Sequence, residues 1–166
     1  MDKSDKNFKL IFKEIIDHIK IAVKNRNHPY HTPSFSNSTK GSFADSRIIV
    51  LRKFDVENLT LSFHTDLRSP KVEDLKKNDN SFFLFYDTNL RMQLRIRTKS
   101  KINYQNEITR NAWAKTSLSS RKCYLTLLPP SSTTLNSTDG IPSHLKGIDP
   151  GQIESEIGYN NFIVIQ

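Results

Sequence analysis

The chain has 166 residues, of which 36% are hydrophobic and 25% charged, and its formal net charge is +8. This composition is typical of a globular protein and excludes a disordered or fibrous one. The positive charge admits anionic partners such as nucleic acid or phosphorylated cofactors. The basic residues are scattered along the chain, however, which favours a solvated basic surface for most of them.

Several classes of protein are excluded early. Cys123 is the only cysteine, which excludes an internal disulfide and a cysteine zinc site, and we interpret it as a packed side chain. No apolar run has the length of a membrane span, and charged residues interrupt the N-terminal pattern where a signal peptide would be apolar. The sequence therefore predicts a cytoplasmic protein with a single domain over residues 1–166.

Apolar residues spaced by three and four predict an amphipathic N-terminal helix. They are Phe8, Ile11, Phe12, Ile15, Ile16, Ile19, Ala22 and Val23. Ser4 or Asp5 is the expected N-cap, and residues 25–27 end the helix. Within residues 28–46, which are rich in His, Pro, Ser, Thr and Asn, His28 and His31 suggest metal ligation. No third ligand follows at a useful spacing, so we interpret this segment as a loop without a metal site.

Residues 34–38 are expected to form a short strand, with residues 39–42 as a turn into the next. The apolar run 48–51, a turn at 55–58 and the alternating residues 59–65 predict a β-hairpin, so that three antiparallel strands would follow one another. The hairpin ends in a polar, basic loop, residues 64–71. Cationic and hydroxyl groups beside a helix N-terminus are suited to an anion such as a phosphate.

Further elements follow this loop. Ser69 is expected to cap a helix over residues 70–77, and the aromatic run 81–86 predicts a strand that is buried on both faces. In the next strand Met92, Leu94 and Ile96 alternate with Gln93, Arg95 and Arg97; the arginine at 97 is interpreted as solvent-exposed, while Gln93 and Arg95 are candidates for a ligand site. Residues 107–115 predict a helix with Trp113 in the core. Residues 128–151 are expected to form a long loop, and residues 161–166 a final strand.

No nucleotide-binding or hydrolase motif is present, and the chain has only five glycines. If the protein is an enzyme, its reactive group is therefore expected to be a bound cofactor. Three sequence blocks point to one: Arg47 to Arg52, then His64 to Lys71, then Arg91 to Arg95. In this order and spacing they resemble the pyridoxamine 5′-phosphate oxidase-like FMN-binding proteins, in particular a subgroup with an N-terminal helix and an HPxxTP segment, here residues 28–33.

The resemblance implies a mainly β protein with flanking helices (α+β), folded as an antiparallel split β-barrel of the FMN-binding type. It further implies a homodimer with FMN at the subunit interface. The implied cofactor-binding residues are Arg47, Ile48, Ile49, Val50, Leu51, Arg52, His64, Thr65, Arg68, Ser69, Lys71, Gln93 and Arg95. The phosphate would be contacted by Arg47, Lys71, Ser69 and Thr65. The backbone of residues 49–51 would pass along the isoalloxazine ring, and Gln93 would reach the ring from another strand. Arg52 would lie near both flavin and substrate.

The implied activity is hydride transfer between a small-molecule substrate and flavin N5, with no nucleic-acid or membrane partner. Pro70 replaces a second basic residue of the oxidases, and the sequence contains no R-x-H-x-R-like substrate motif, so we expect a truncated or minimal member whose substrate is not pyridoxamine 5′-phosphate. Two alternatives remain open. One is a non-catalytic FMN-binding protein for stress or sensing. The other is a basic β-barrel that stacks nucleic-acid bases on Phe82, Phe83 and Tyr86.

Overall fold

The computed structural model describes residues 3–38 and 43–166. Its α-helices are α1 (Lys3–Lys24), α2 (Pro70–Lys77), α3 (Glu107–Ala114), α4 (Leu118–Arg121) and α5 (Gln152–Glu156). Its strands are β1 (Ser34–Ser38), β2 (Ala44–Ile48), β3 (Leu51–Asp55), β4 (Thr60–Asp66), β5 (Asn80–Asp87), β6 (Met92–Lys99), β7 (Ile102–Tyr104) and β8 (Phe162–Ile165). Short 3₁₀ helices occur at Pro29–His31, Lys122–Tyr124, Ser143–Leu145 and Ile157–Asn161. The expected turn at residues 39–42 lies outside the described residues.

The strands form two four-stranded antiparallel sheets, with orders β2-β1-β5-β6 and β3-β4-β8-β7. Together with the helices they confirm the predicted α+β class. The chain divides into two compact units, Met1–Phe63 with Asn80–Lys99 and His64–Asp79 with Ser100–Gln166. The single domain over residues 1–166 stays a prediction.

The core of the first unit is aromatic. The ring centroids of Phe35 and Phe63 lie 4.8 Å apart, those of Phe35 and Phe83 5.1 Å, and those of Tyr30 and Phe85 5.2 Å. Helix α1 buries Ile16, Ile19 and Ala22 from the predicted apolar stripe. The burial of large apolar side chains stabilises this unit.

The second unit has its own core around Trp113, as predicted. The indole packs against Phe162 with a centroid distance of 5.0 Å, and its Nε1–H donates to Glu156 at 2.9 Å. Strand β8 is buried along its whole length. A Cβ on Gly158 would lie 3.1 Å from Tyr124 Cβ and 3.3 Å from the Trp113 ring, so this position admits the backbone only as glycine without a shift of its neighbours.

Most predicted elements are confirmed within a few residues. They include α1, β1, α2 with Ser69 at its N-cap position, β5, β6, α3, β8 and the turn at Asp55, whose carboxylate accepts hydrogen bonds from the backbone N–H groups of Glu57 and Asn58. The segment 128–151 contains only one short 3₁₀ helix, where Leu145 is buried.

Other predictions are wrong. The described α1 begins at Lys3, so Ser4 and Asp5 lie inside it rather than at its N-cap. The apolar run 48–51 is not one strand, because Ile48 ends β2 in the first sheet and Leu51 begins β3 in the second. The expected run of three consecutive paired strands is broken at the same place. A uniformly apolar run has no alternation that could reveal such a break.

Burial was mispredicted at further positions. Leu59 lies in the turn with a left-handed φ of 48°, and Ser62 is buried between Leu61 and Phe63. Strand β5 is not buried on both faces: Phe83 and Phe85 are buried, whereas Tyr86 is 52% exposed. Cys123 is exposed rather than packed, because the 3₁₀ turn Lys122–Tyr124 directs its neighbour Tyr124 against Trp113 and leaves the thiol on the solvent side.

Candidate functional site

In the second unit, three predicted phosphate contacts converge at the junction of β4 and α2. The Lys71 ammonium donates to Thr65 Oγ1 at 3.0 Å and to Ser69 Oγ at 2.6 Å. Ser69 occupies the N-cap position of α2, yet its hydroxyl makes no capping hydrogen bond to the helix. The hydroxyl therefore faces Lys71 instead of the helix backbone. An ammonium, two hydroxyls and the positive end of a helix dipole thus share one location, which suits a phosphate.

Arg68 is committed to a different role in the same loop. Its guanidinium donates to both carboxylate oxygens of Asp66, at 3.0 and 2.7 Å, and to the carbonyl and hydroxyl oxygens of Thr126, each at 3.0 Å. Hydrogen bonding to Asp66, itself buried, is the main cause that raises the pKa of Arg68. These contacts tie the loop to a segment far along the chain, so Arg68 holds the loop in shape. Its contact with a cofactor stays a prediction.

His64 also packs within the second unit. Its imidazole lies edge-on to the ring of Phe162, with centroids 4.8 Å apart, and the side chain is half-buried. This contact positions the strand end that carries Thr65.

In the first unit, Arg47 lies on the buried side of the sheet. It pairs with Phe35 of β1, and its guanidinium lies 5.9 Å from the Phe35 ring centroid. The guanidinium donates to Asn37 Oδ1, to the Asp45 carboxylate and, at 3.0 Å, to the Asp45 carbonyl oxygen. A phosphate at Arg47 would therefore compete with Asp45.

The stretch between the two sheets departs from regular strand pairing. Ile49 and Val50 belong to neither sheet, and the Ile49 N–H donates to the Pro33 carbonyl oxygen at 3.0 Å. The β3–β4 register shifts between Leu51 and Lys53, which leaves Arg52 as the unpaired residue of a β-bulge with an exposed side chain. Bulges redirect side chains and are frequent beside active sites. Ile48 is 67% exposed, on the sheet face opposite Arg47.

Gln93 and Arg95 lie on that opposite face as well. Gln93 pairs with Tyr86 and Arg95 with Leu84 of β5, whereas Phe83, on the buried side, pairs with Ile96. Strands β2 and β6 are the two edges of the sheet, which places them about 14 Å apart at the usual strand spacing. One copy of this sheet therefore does not bring Arg47 and Gln93 together.

Sequence reasoning missed a hydrogen-bonded histidine chain in the first unit. The Tyr30 N–H donates to His28 Nδ1 at 3.1 Å, His28 Nε2 lies 3.4 Å from His18 Nδ1, and His18 Nε2 lies 3.8 Å from the Glu14 carboxylate. A backbone N–H can only donate, so neutral His28 carries its proton on Nε2 and donates it to His18. Burial, and secondarily the charge on His18, lowers the pKa of His28, while Asp87 opposes that shift.

Residues 3–38 and 43–166 contain neither a candidate metal centre nor a helix that could span a membrane. No group of three or more His, Cys, Asp or Glu side chains there is arranged to hold a metal ion. No helix in the same residues is both long enough and apolar enough to cross a membrane.

Residues 11–103, more than half of the chain, match the sequence model of the pyridoxamine 5′-phosphate oxidase FMN-binding domain. The chain belongs to this family. Its domain is therefore an FMN-binding domain, and the cofactor expected from the sequence blocks is confirmed. None of the curated protein sequences compared matches the chain.

Solved structures share the fold of this FMN-binding domain family. A pyridoxamine 5′-phosphate oxidase-related, FMN-binding protein of Nostoc punctiforme matches with a TM-score of 0.68 and 17% identity, over 93% of this chain and 78% of its own. PhzG of Burkholderia lata, crystallised with tetrahydrophenazine-1-carboxylic acid, matches with a TM-score of 0.64 and 13% identity, over 95% of this chain and 73% of its own. General Stress Protein 26 of Bacillus anthracis matches with a TM-score of 0.51 and 15% identity, over 90% of this chain and 84% of its own. These similarities confirm the split-barrel fold.

The residues around Lys71 fit the phosphate of FMN. The cluster offers one cation and two hydroxyl groups, and Ser69 is only 3% exposed, so the seat is preformed. A preformed seat loses little conformational entropy when the anion binds.

Proposed function

We propose that this FMN-binding protein is a homodimeric, cytoplasmic oxidoreductase that transfers a hydride between a small molecule and flavin N5. The observation that carries the proposal is the convergence of Lys71, Thr65 and Ser69 at the N-terminus of α2. When bound, FMN supplies the hydride-accepting centre, while the protein supplies binding, orientation and electrostatics.

Lys71 is proposed to neutralise the phosphate while Thr65 and Ser69 donate hydrogen bonds to it. In the present geometry both hydroxyl oxygens accept from the ammonium, so their own protons point elsewhere and are available to an acceptor. The family resemblance adds Arg47 to the phosphate contacts. That contact requires the guanidinium to leave Asp45, an exposed partner whose ion pair is worth little in water.

The chain between the two sheets is proposed to line the isoalloxazine ring. Ile49 and Val50 lie outside the sheets, so Val50 has backbone groups that no strand partner uses. Flat aromatic ligands commonly bind along apolar segments that offer a few backbone hydrogen bonds. The bulge at Arg52 exposes a guanidinium beside this segment, where a positive charge would stabilise negative charge that develops on the ring.

Gln93 is proposed to act in the FMN site of the partner subunit. Arg47 and Gln93 lie on opposite faces and opposite edges of one sheet, which argues against both contacting a single cofactor from the same copy. Two copies related by a twofold axis would supply one residue each, and each of the two sites would be completed in the same way.

The test begins with the visible spectrum of the purified protein, before and after FMN is added and excess removed. Bound flavin is expected, and a colourless protein that takes up no FMN would refute the proposal. The flavin-loaded protein is then mixed anaerobically with NADH, NADPH or dithionite, with free FMN as the control. Reduction by a nicotinamide well above the rate of free FMN supports an oxidoreductase. Bound flavin that only dithionite reduces supports the non-catalytic alternative. Sedimentation velocity tests the dimer, and subcellular fractionation tests the location.

A further inference from the structure

The first sheet has an outer face, defined here as the side opposite Phe35 and Phe83. Strand pairing puts alternate residues of β5 and β6 together on it, among them Phe82, Leu84, Tyr86, Gln93, Arg95 and Arg97, with the pair Asn80 and Lys99 at one end. Strands β1 and β2 add only serine, alanine and isoleucine side chains to the same face. None of the described strand residues on the outer face is Asp or Glu. The face is therefore cationic and partly aromatic.

The two arginines on this face are accessible to a ligand. Both are exposed, and within the described part of the chain neither has an ion pair or a side-chain hydrogen bond. Arg95 instead lies over the ring of Phe82, with its guanidinium carbon 5.4 Å from the ring centroid. Residues two apart on one face of a strand lie about 7 Å apart, so both guanidinium groups can reach one small anion.

Aromatic and amide groups continue the face beyond the arginines. Tyr86 is 52% exposed and lies directly opposite Gln93, while Phe82 lies opposite Arg97. Charged side chains on an edge strand also prevent edge-to-edge pairing of sheets. That protective role requires neither the exposed ring of Tyr86 nor the absence of Asp and Glu from the described strand residues of this face. The combination suits a planar ring that carries a negative group.

We propose that the outer face binds a planar aromatic carboxylate, which defines the substrate class of the flavin site. Arg97 and Arg95 hold the carboxylate, and Tyr86 stacks on the ring. The substrate assignment rests on the proposed function, because it is Gln93, on the same face, that is assigned to the flavin. The binding of the anion itself rests only on the outer face.

The test is calorimetric titration of the FMN-loaded protein with 2-naphthoate and with 2-naphthamide, its uncharged analogue. Arg97→Gln is expected to weaken naphthoate binding about tenfold, since one charge-assisted hydrogen bond is lost, and to leave naphthamide binding unchanged. Arg110→Gln is the matched control, because Arg110 is an exposed arginine of the second unit. Tyr86→Ser should weaken the binding of both probes.

Equal losses in Arg97→Gln and Arg110→Gln would overturn the proposal, because they would show general charge attraction. Strong, steeply salt-dependent binding of an oligothymidylate with no binding of naphthoate would also overturn it, in favour of a nucleic-acid surface. The visible flavin spectrum tests the proposed function separately from the binding of naphthoate. A protein that binds FMN but not naphthoate contradicts only the inference. A protein that binds naphthoate without FMN contradicts the flavin function and the substrate assignment that rests on it, but not the binding of the anion.

Discussion

Replacing Lys71 by glutamine should selectively weaken the binding of the FMN phosphate. The substitution removes the ammonium that lies 3.0 Å from Thr65 Oγ1 and 2.6 Å from Ser69 Oγ, and keeps a polar side chain of similar length beside both hydroxyls. A hydrogen bond to a charged group contributes about 1.5–3 kcal/mol, so the dissociation constant for FMN should rise about 10- to 150-fold. The fold should be preserved, because Lys71 is only half-buried.

Riboflavin provides the matched ligand, since it has the same ring without the phosphate. Titrations that follow flavin fluorescence should show that Lys71→Gln leaves riboflavin affinity nearly unchanged. Lys76→Gln is the matched control on the same helix, because that lysine is exposed and pairs with Glu73 at 2.7 Å. Equal losses for FMN and riboflavin, or equal losses in the two variants, would refute the phosphate assignment.

Three further predictions follow from the first unit. The pKa of His28 is lower in the folded chain than in the unfolded chain, so the unfolded chain binds the proton first as the pH falls. The free energy of unfolding should therefore fall as the pH drops below about 6.5. In urea unfolding, His28→Gln should show a weaker dependence of this free energy on pH. Asp45→Asn should tighten FMN binding about two- to fivefold by releasing Arg47, measured by the same fluorescence titration, and weaker binding would contradict that role. Phe83→Ala should cost about 3–5 kcal/mol of unfolding free energy, whereas the half-exposed Phe82→Ala should cost clearly less; equal costs would show that the two faces of β5 are wrongly assigned.

Local signals in the sequence predicted the elements that carry the candidate phosphate seat. The spacing of apolar residues gave α1, and Ser69 followed by Pro70 marked the start of α2. These signals predict that Thr65 and Lys71 lie near each other, because only a short loop joins the end of the strand to the start of the helix. Such short-range signals depend on backbone geometry that neighbouring residues share.

These local signals do not predict contacts between residues that are distant in the sequence. Arg68 is one of the cofactor-binding residues that the resemblance implies, and nothing in the sequence indicates that its guanidinium donates to Asp66 and to Thr126, which is 58 positions away. The histidine chain likewise joins His18 to His28 across a helix end. No spacing rule predicts a partner that the fold brings from another part of the chain.

By itself the sequence determined the class of fold and the cofactor, and it predicted a candidate loop for the phosphate, because periodicity, capping and the spacing of three blocks are properties of short segments. Only the tertiary structure decided that the apolar run from Ile48 to Leu51 is divided between two sheets. It also decided that Tyr86 and Arg97 share an exposed face while Arg47 lies on the other. The reason is that side-chain direction in a strand follows from its pairing register, and the register is set by the partner strands.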